Sequence, residues 1–395
     1  MKFLVNNMDR VELEEIIKRG EDSLHQFKSD VTSEISIARE MIAFSNALGG
    51  KIIIGVSDNG SVSGLARSDI GRLSNLVSNA ASQHVRPAIN PLTENISHAD
   101  GLVMVVHVSP GISKPYMDKD GVVWIKSGPD KRKATSREEI QRMYQSSGLI
   151  HGDAVLAGGM TIKDLDIREF ERFYEKQYEE TLNLQELPLE QLMENLNLSR
   201  DGFLNVAGAL LFGKYTAFRL PAFIVKCVAY PGNDIHLDDY YDSQDISGVI
   251  RTVFDDTVAF ILRHLRRVQQ NQNVNSLGKL EIPKIVIEEL VANALIHRDY
   301  FISASVRIFV FSDRIEIVSP GHLPNNLTIE NIKRGNSNIR NPILASFATK
   351  LLPYRGLGNG IIRAVKAFPD IEFVDDRDGN LFKCIIKRCH KLPYC

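Results

Sequence analysis

A carboxylate and an amide stand four residues apart in the C-terminal part of the chain, in the sequence Glu289-Leu-Val-Ala-Asn293. This spacing places both side chains on one face of a helix. A carboxylate can act as a general base toward water, and an amide oxygen can ligate Mg²⁺, which bridges phosphates. The pair suits phosphate transfer or hydrolysis, with Glu289 as the base and Asn293 as the Mg²⁺ ligand. A solvated helix face is the alternative.

Two loops follow this helix and could bind phosphate. Ser319-Pro-Gly321 forms a tight loop after an apolar strand, and Gly356-Leu-Gly358-Asn-Gly360 stands just before a predicted helix. Free backbone N–H groups and the helix dipole favour an anion at such a position. A lone glycine loop is more often only a turn, so it is the order and spacing of the three features that single them out.

In combination, the three features resemble the GHKL (Bergerat) ATP-binding fold. IEELVANALIHRDY, DRIEIVSPGHLP and GLGNGI are similar to the divergent GHKL-like module of bacterial ATP-binding transcriptional regulators and helicase-like proteins, over about residues 281–390. The resemblance implies ATP and Mg²⁺ as cofactors, in a pocket formed by Asn293, Ser319, Gly321, Gly356, Gly358 and Gly360. Ser319 stands where typical members carry the aspartate that recognises adenine. A retained fold with weak or lost nucleotide binding is therefore the alternative.

The N-terminal part resembles the Schlafen AlbA-type domain over about residues 15–145. The resemblance rests on Glu21 with Gln26-Phe-Lys, on AFSNALGGKIIIGVSDNG and on WIKSGPDKRKATSREEI. It implies nucleic-acid binding and, in relatives that cut RNA, a divalent metal held by three carboxylates. Their places fall here on Glu21, Gln26 and Asp58. An amide supplies no charge to a metal, so Glu21 and Asp58 are candidate ligands of a degenerate site, and Asp58 suits a turn equally well.

Basic residues cluster between residues 126 and 142, where six Lys and Arg stand against three Asp and Glu. A hairpin or loop there could neutralise phosphates, with affinity that depends on salt and little on base sequence. The candidate nucleic-acid contacts are Lys126, Lys131, Arg132 and Lys133. A solvated charged loop is the alternative. Trp124, the only tryptophan, stands in an apolar strand pattern that favours a core position over base stacking.

Apolar periodicity and turn signals predict the elements that position these residues. We expect an α/β (α+β) protein of three parts: a Schlafen AlbA-type domain over residues 1–150, a helix-rich connecting segment over 151–280, and a GHKL/Bergerat-like α/β sandwich over 281–395. Residues 194–213 also resemble the segment that connects two such domains. The individual predictions include a helix that stops at Gly49-Gly50, a buried strand over 51–56, a long helix over 246–272, an Asn-rich linker over 269–276 and a helix over about 284–297.

Composition narrows the class of protein. The chain has 395 residues and a formal net charge of −2, which removes the argument for a globally basic nucleic-acid binder but leaves room for a local basic face. Neither a signal-peptide core nor a run of ~20 apolar residues for a membrane span is apparent. No cysteine forms a CxxC pair, so we expect free thiols in the cytoplasm and no membrane partner, although Cys389-His390 could ligate a metal with distant residues.

Three functional hypotheses remain open. The first is a nucleic-acid-binding protein, for DNA or RNA, that is regulated by ATP or assembles with it, as a homo-oligomer in regulation or defence. The second is a Schlafen-like metal-dependent ribonuclease, which Gln26 weakens. The third is a structural oligomeric component whose two sites are both degenerate. A weak ATPase activity would be compatible with the first.

Overall fold

The computed structural model describes residues 8–182, 187–235, 239–268, 278–324 and 327–388. The chain divides into two compact units, Met1–Leu149 and Ile150–Cys395. The predicted linker over 269–276 and the pair Cys389-His390 lie outside the described residues. No described helix combines the length and the apolar character that crossing a membrane requires.

The first unit contains a four-stranded sheet with helices on both faces. The strand order is β1-β2-β4-β3, in which β1 and β2 are parallel and the other pairs antiparallel. The elements are α1 (Arg10–Arg19), β1 (His25–Lys28), α2 (Glu34–Asn46), β2 (Gly50–Ile54), α3 (Arg67–Gln83), β3 (Leu92–His98), β4 (Gly101–Val108), β5 (Trp124–Ser127), β6 (Asp130–Lys133) and α4 (Arg137–Ser146).

Strand β2 is apolar without alternation because both of its faces are buried. Ile52 and Ile54 belong to the core that α2 and α3 cover, whereas Ile53 belongs to a second core that includes Leu13 and Ile16 of α1. A strand covered on both sides has no face to present to water. The continuous apolar run of β2 is therefore explained by the helices that cover both faces of the strand.

Helix α2 stops where the sequence predicts. Gly49 adopts φ 80° and donates its N–H to the Phe44 carbonyl at 3.0 Å. A Cβ at Gly49 would lie 2.7 Å from the Val108 carbonyl oxygen, so the position requires glycine for its dihedral angle and for the close approach of β4.

The second unit is built on a six-stranded sheet of order β11-β10-β14-β15-β17-β16, in which only β10 and β14 pair in parallel among the described strands. Its elements are β7 (Leu156–Thr161), α5 (Ile167–Tyr178), α6 (Leu189–Asn195), β8 (Ser199–Arg200), β9 (Phe203–Asn205), α7 (Val206–Phe212), α8 (Thr216–Arg219), β10 (Val225–Ala229), β11 (Asp242–Ile246), α9 (Ile250–Arg263), β12 (Arg267–Val268), β13 (Lys279–Leu280), α10 (Lys284–His297), β14 (Val306–Val310), β15 (Arg314–Pro320), α11 (Ile329–Lys333), α12 (Pro342–Leu351), α13 (Gly360–Ala367), β16 (Ile371–Asp376) and β17 (Leu381–Lys387).

Residues 151–280, treated as a connecting segment from the sequence, share a core with residues 281–395. Strands β10 and β11 lie in the same sheet as β14 to β17, and α9 packs against α10. One apolar cluster contains Phe260 of α9, Leu290 of α10, Ile308 of β14 and Ile386 of β17. The mixed α/β class that the sequence predicts is confirmed.

The long helix predicted over 246–272 is wrong at both ends. The observed helix α9 spans Ile250–Arg263, residue 246 belongs to β11, and residues 267–268 form β12. Gly248 adopts φ 133°, which breaks the helical path before α9, and Arg267 and Val268 pair with Leu280 and Lys279. Strand pairing with distant residues overrides the local periodicity here.

Candidate functional site

Helix α10 carries the carboxylate and the amide. Glu289 is only 1% exposed, and the Asn293 side chain donates through Nδ2 to the Glu289 backbone carbonyl at 2.7 Å. That bond leaves Oδ1 as the accepting end of the amide. Both residues line a cavity within the second unit that encloses about 970 Å³ of empty space, part of it open to solvent.

The cavity collects every residue that the sequence proposes for a nucleotide pocket. Apolar side chains of α10, β15 and β17 form part of the wall, and polar residues line the rest, among them Arg355 and Asn359. The predicted residues that line it are Glu289, Asn293, Ser319, Gly321, Gly356, Gly358 and Gly360. Three motifs spread over some seventy residues of sequence therefore meet at one place.

Ser319 lies near the end of β15, next to α10, and Gly321 directly follows the strand. The Ser319 hydroxyl donates to the Ala294 carbonyl at 3.1 Å and is buried, so its lone pairs remain as acceptors. Gly321 adopts φ 98°, and a Cβ there would lie 2.7 Å from the Asp299 Cβ. The close packing of this loop explains why glycine stands at position 321.

The glycine-rich segment leads into α13. Gly356 and Gly358 adopt φ 67° and 69°, and a Cβ at Gly358 would collide with the Gly335 carbonyl oxygen. The described N-cap residue of α13, Asn359, makes no side-chain capping bond. The Asn359 side chain therefore leaves free the N–H groups of the first turn, where the sequence predicts an anion site.

Arg363 of α13 pairs directly with Glu289, a contact that the sequence analysis missed. One guanidinium nitrogen contacts Glu289 Oε1, and the Arg363 side chain is 28% exposed. Among the described atoms, Arg363 Nε is buried and has no hydrogen-bond partner. Only the placement of Arg363 one turn after Gly360 could have suggested that it faces the pocket. Nothing in the sequence links it to a carboxylate 74 residues earlier.

The buried environment shifts the titrating groups of the cavity. Burial raises the pKa of Glu289, against the opposing charges of Arg363 and Arg355. Burial also lowers the pKa of His297 to about 4, with Arg340 acting in the same direction. The His297 Nε2 lies 3.0 Å from the Tyr354 hydroxyl, so this pair is neutral near pH 7.

The cavity residues fit a nucleotide better than they fit a Mg²⁺ ion beside Glu289. The mixture of apolar and polar lining is typical of small-molecule sites. The Asn293 Oδ1 is a suitable metal ligand. The place next to the Glu289 carboxylate, however, is taken by the Arg363 guanidinium, whose positive charge would repel a divalent cation.

In the first unit, Glu21 and Gln26, which stand at two of the three positions that the resemblance assigns to metal-binding carboxylates, are hydrogen-bonded to each other. Gln26 donates through Nε2 to Glu21 Oε1 and accepts at Oε1 from Lys126 Nζ at 2.9 Å, so both ends of the amide are engaged. Asp58 is exposed in a turn closed by the Gly60 N–H on the Ser57 carbonyl. Within the residues that the structure describes, no three His, Cys, Asp or Glu side chains form a group that could hold a metal ion.

The predicted basic segment is the hairpin β5–β6 followed by α4. Arg132 and Lys133 are exposed, although Arg132 also pairs with Glu139 at 2.8 Å. Lys131 is half-buried and pairs with the buried Glu40. Lys126 is half-buried too, and burial lowers its pKa despite the nearby charges of Glu40 and Glu21.

Trp124 is neither a simple core residue nor a free stacking platform. It is half-buried, and its indole Nε1 donates to Asp118 Oδ2 at 2.9 Å. The Arg39 guanidinium lies 5.0 Å from the ring centroid and Lys133 Nζ lies 5.7 Å from it. The ring thus holds two cations near the hairpin through cation–π attraction.

Two family models match parts of the chain. Residues 21–135 match the model described as "Schlafen, AlbA_2". Residues 303–376 match the model described as "Putative ATP-dependent DNA helicase recG C-terminal". No curated protein matches the chain.

Among solved structures, the DIP2311 protein from Corynebacterium diphtheriae is 18% identical, with a TM-score of 0.45, over 96% of this chain and 69% of that one. A second structure is the N-terminal domain of the "Putative ATP-dependent DNA Helicase RecG-related Protein" from Nitrosomonas europaea. It is 18% identical, with a TM-score of 0.24, over 33% of this chain and 96% of that one.

Proposed function

Because this chain joins a Schlafen AlbA_2 domain, residues 21–135, to an ATPase-like domain that includes residues 303–376, we propose that it binds nucleic acid through the first and ATP through the second. The two domains together fit a nucleic-acid-related, ATP-linked role. Regulation of nucleic-acid binding by ATP, in a regulatory or defence setting, is the specific form we favour.

The observation that carries the proposal is the convergence on one cavity. Seven residues chosen from sequence motifs alone, from Glu289 to Gly360, all line the same space. A solvated helix face or an isolated turn would leave these residues apart. Their meeting supports a GHKL-like nucleotide pocket over the alternative of unrelated local features.

Different residues of the cavity are suited to contact the phosphates, the attacking water and the base of a nucleotide. The positive-φ glycines Gly356 and Gly358 and the uncapped start of α13 offer backbone N–H groups to phosphate oxygens. Glu289, with its raised pKa, is the group suited to accept a proton from water in any hydrolysis. Ser319 offers a hydroxyl where an aspartate would select adenine, so we expect weak discrimination between purines.

The nucleic-acid surface centres on β6 of the β5–β6 hairpin, at the end away from the connecting turn. Arg132 and Lys133 are the exposed members of the basic set, and Lys133 and Arg39 both lie near the Trp124 ring. Exposed cations of this kind contact phosphates and carry little sequence information. Lys126 and Lys131 have internal partners, which makes them secondary contacts.

The geometry favours binding over the ribonuclease alternative. Lys126 places its ammonium on Gln26 Oε1, the atom that a metal would need at that position. A fixed cation there opposes the arrival of a divalent one. The homo-oligomer expected from the resemblance stays a prediction, which sedimentation velocity would check.

Fluorescence anisotropy with labelled DNA and RNA tests the nucleic-acid part of the proposal. Replacing both Arg132 and Lys133 by Ala should weaken binding about tenfold and reduce the dependence of log affinity on log salt by about 2, because two phosphate contacts are lost. The matched control replaces the exposed Arg67 and Lys119 by Ala, which removes the same charge outside the hairpin. Equal losses in both double variants would contradict the assignment of the hairpin.

A further inference from the structure

Arg355 is the cation of the cavity that has no partner of its own. Among the described residues of the lining, the Asp, Glu, Lys and Arg side chains are Glu289, Arg355 and Arg363, two positive charges against one negative charge. Arg363 pairs with Glu289. Arg355 forms no hydrogen bond or salt bridge with any residue that the structure describes, and its charge acts on Glu289 only through space. The cavity therefore has one positive charge that no side chain of its lining pairs with.

The backbone on either side of Arg355 is anchored, although the Arg355 side chain is exposed. The preceding residue, Tyr354, is buried, and its hydroxyl lies 3.0 Å from His297 Nε2 of α10. The following residue, Gly356, adopts φ 67°, and a Cβ there would lie 3.2 Å from Thr349 Cγ2 of α12. A side chain between two anchored residues stays at the edge of the cavity, so little backbone ordering would oppose its contact with a ligand.

Arg355 stands next to the groups that are suited to contact phosphate. It directly precedes the segment from Gly356 to Gly360, and that segment leads into α13, whose N-cap residue Asn359 makes no side-chain capping bond. All of these residues line the cavity together with Arg355. Backbone N–H groups at a helix start and a guanidinium beside them suit the same ligand, because both favour phosphate oxygens.

We propose that Arg355 binds the phosphates of the nucleotide and is the residue by which the cavity selects nucleotides over nucleosides. The inference rests on the proposed nucleotide site and specifies how that site recognises its substrate class. A guanidinium attracts the charge of a phosphate and has no comparable interaction with an uncharged nucleoside. Because Arg355 is exposed, dissolved salt should screen the attraction.

Isothermal titration calorimetry of ATP into the full chain, with Mg²⁺ present, tests the inference. Arg355→Ala should bind ATP about tenfold more weakly than wild type, because a charge-assisted contact is lost. Arg355→Glu should bind ATP more weakly still, because its carboxylate repels phosphate. Lys366→Ala and Lys366→Glu are the matched controls, since Lys366 is exposed on α13 and is not among the residues that line the cavity. Both controls should bind ATP within about twofold of wild type, because salt screens charges at a distance.

Adenosine and salt provide readouts that a purely structural role of Arg355 would not move. The affinity for adenosine, measured by its competition with ATP, should be the same in wild type and in Arg355→Ala. Between about 0.05 and 0.5 M KCl, wild type should lose more affinity for ATP than Arg355→Ala does.

The outcomes separate this inference from the function on which it rests. ATP binding that is equal in wild type, Arg355→Ala and Arg355→Glu overturns the role of Arg355 and leaves the nucleotide site standing. The same conclusion follows if adenosine loses affinity in parallel with ATP, or if salt does not weaken ATP binding to wild type. An absence of ATP binding to wild type and to every variant overturns the nucleotide site itself. The salt series on wild type needs no substitution, so a variant that fails to fold does not weaken the test.

Discussion

At the scale of single residues, Gly360 occupies a position in the cavity that has no room for a side chain. Its φ is not in the left-handed region, so the requirement for glycine is purely one of space. Any side chain at this position meets the Glu289 carboxylate. The same carboxylate holds Arg363, and a shift of one therefore disturbs the other.

We expect Gly360→Ala to destabilise the chain by about 1–3 kcal/mol, because the added methyl group must displace Glu289 in a packed site. The matched control is Gly158→Ala, since no atom lies within 4 Å of a Cβ at Gly158 and its φ is not positive. That control should change stability by no more than about 0.5 kcal/mol. Urea denaturation of the two variants compares them, and equal stabilities would show that Glu289 moves freely.

The residue scale also shows what the sequence could and could not predict. The side chains from Glu289 to Gly360 were identified because their spacing along a helix and in glycine loops is a local property. Arg363 was missed because its role depends on α13 lying over α10, which no local pattern encodes. The sequence likewise could not predict the hydrogen bond that Gln26 accepts from Lys126, because Lys126 lies on a strand 100 residues away.

At the scale of elements, the N-terminus of helix α12 is capped by a residue that lies far from it in the sequence. Its N-cap residue Asn341 makes no side-chain capping bond in the described structure. Instead Asp153, which is fully buried, accepts the Leu344 N–H at 2.9 Å. Its other oxygen, Oδ1, has no hydrogen-bond partner among the described atoms. Burial raises the pKa of Asp153, although the backbone N–H groups of Leu344 and Ile343 act in the opposite direction.

The raised pKa of Asp153 determines the direction in which the stability of the folded chain changes with pH. A carboxyl with a raised pKa keeps its proton in the folded chain to higher pH than in the unfolded chain, so stability falls as the pH rises from the usual Asp range toward neutral. Asp153→Asn carries no charge to bury. It should be more stable than wild type at pH 7 by roughly 1–2 kcal/mol, and the gain should vanish as the pH falls below about 4.

Denaturation curves of wild type and Asp153→Asn at several pH values measure this difference. A variant that is less stable than wild type at pH 7 would mean that the charge, through its bond to α12, stabilises more than its burial costs.

Elements with strong local signals were predicted closely. Helix α10 spans Lys284–His297, as the periodicity indicates, and α2 stops before Gly49. The prediction failed over 246–272 because Arg267 and Val268 pair with Leu280 and Lys279. The sequence also could not predict that β10 and β11 lie in one sheet with the C-terminal strands, because strand order depends on contacts between residues that are far apart along the chain.

At the scale of the whole molecule, the net charge of −2 conceals an uneven distribution. The hairpin exposes Arg132 and Lys133, while two other lysines of the same segment are neutralised or hydrogen-bonded within the first unit. For ATP to alter nucleic-acid binding, it must bind one conformation or assembly of the chain more tightly than another. Occupation of the cavity by ATP is the first requirement of that scheme.

Photo-crosslinking of the full chain with 8-azido-ATP, followed by peptide mapping, tests that requirement most directly. The account predicts labelling within the cavity-lining segments of the second unit, between residues 289 and 363 or in β17, which an excess of unlabelled ATP abolishes. Labelling confined to residues 8–149, or labelling that unlabelled ATP does not reduce, would contradict the assignment of the cavity as the ATP site.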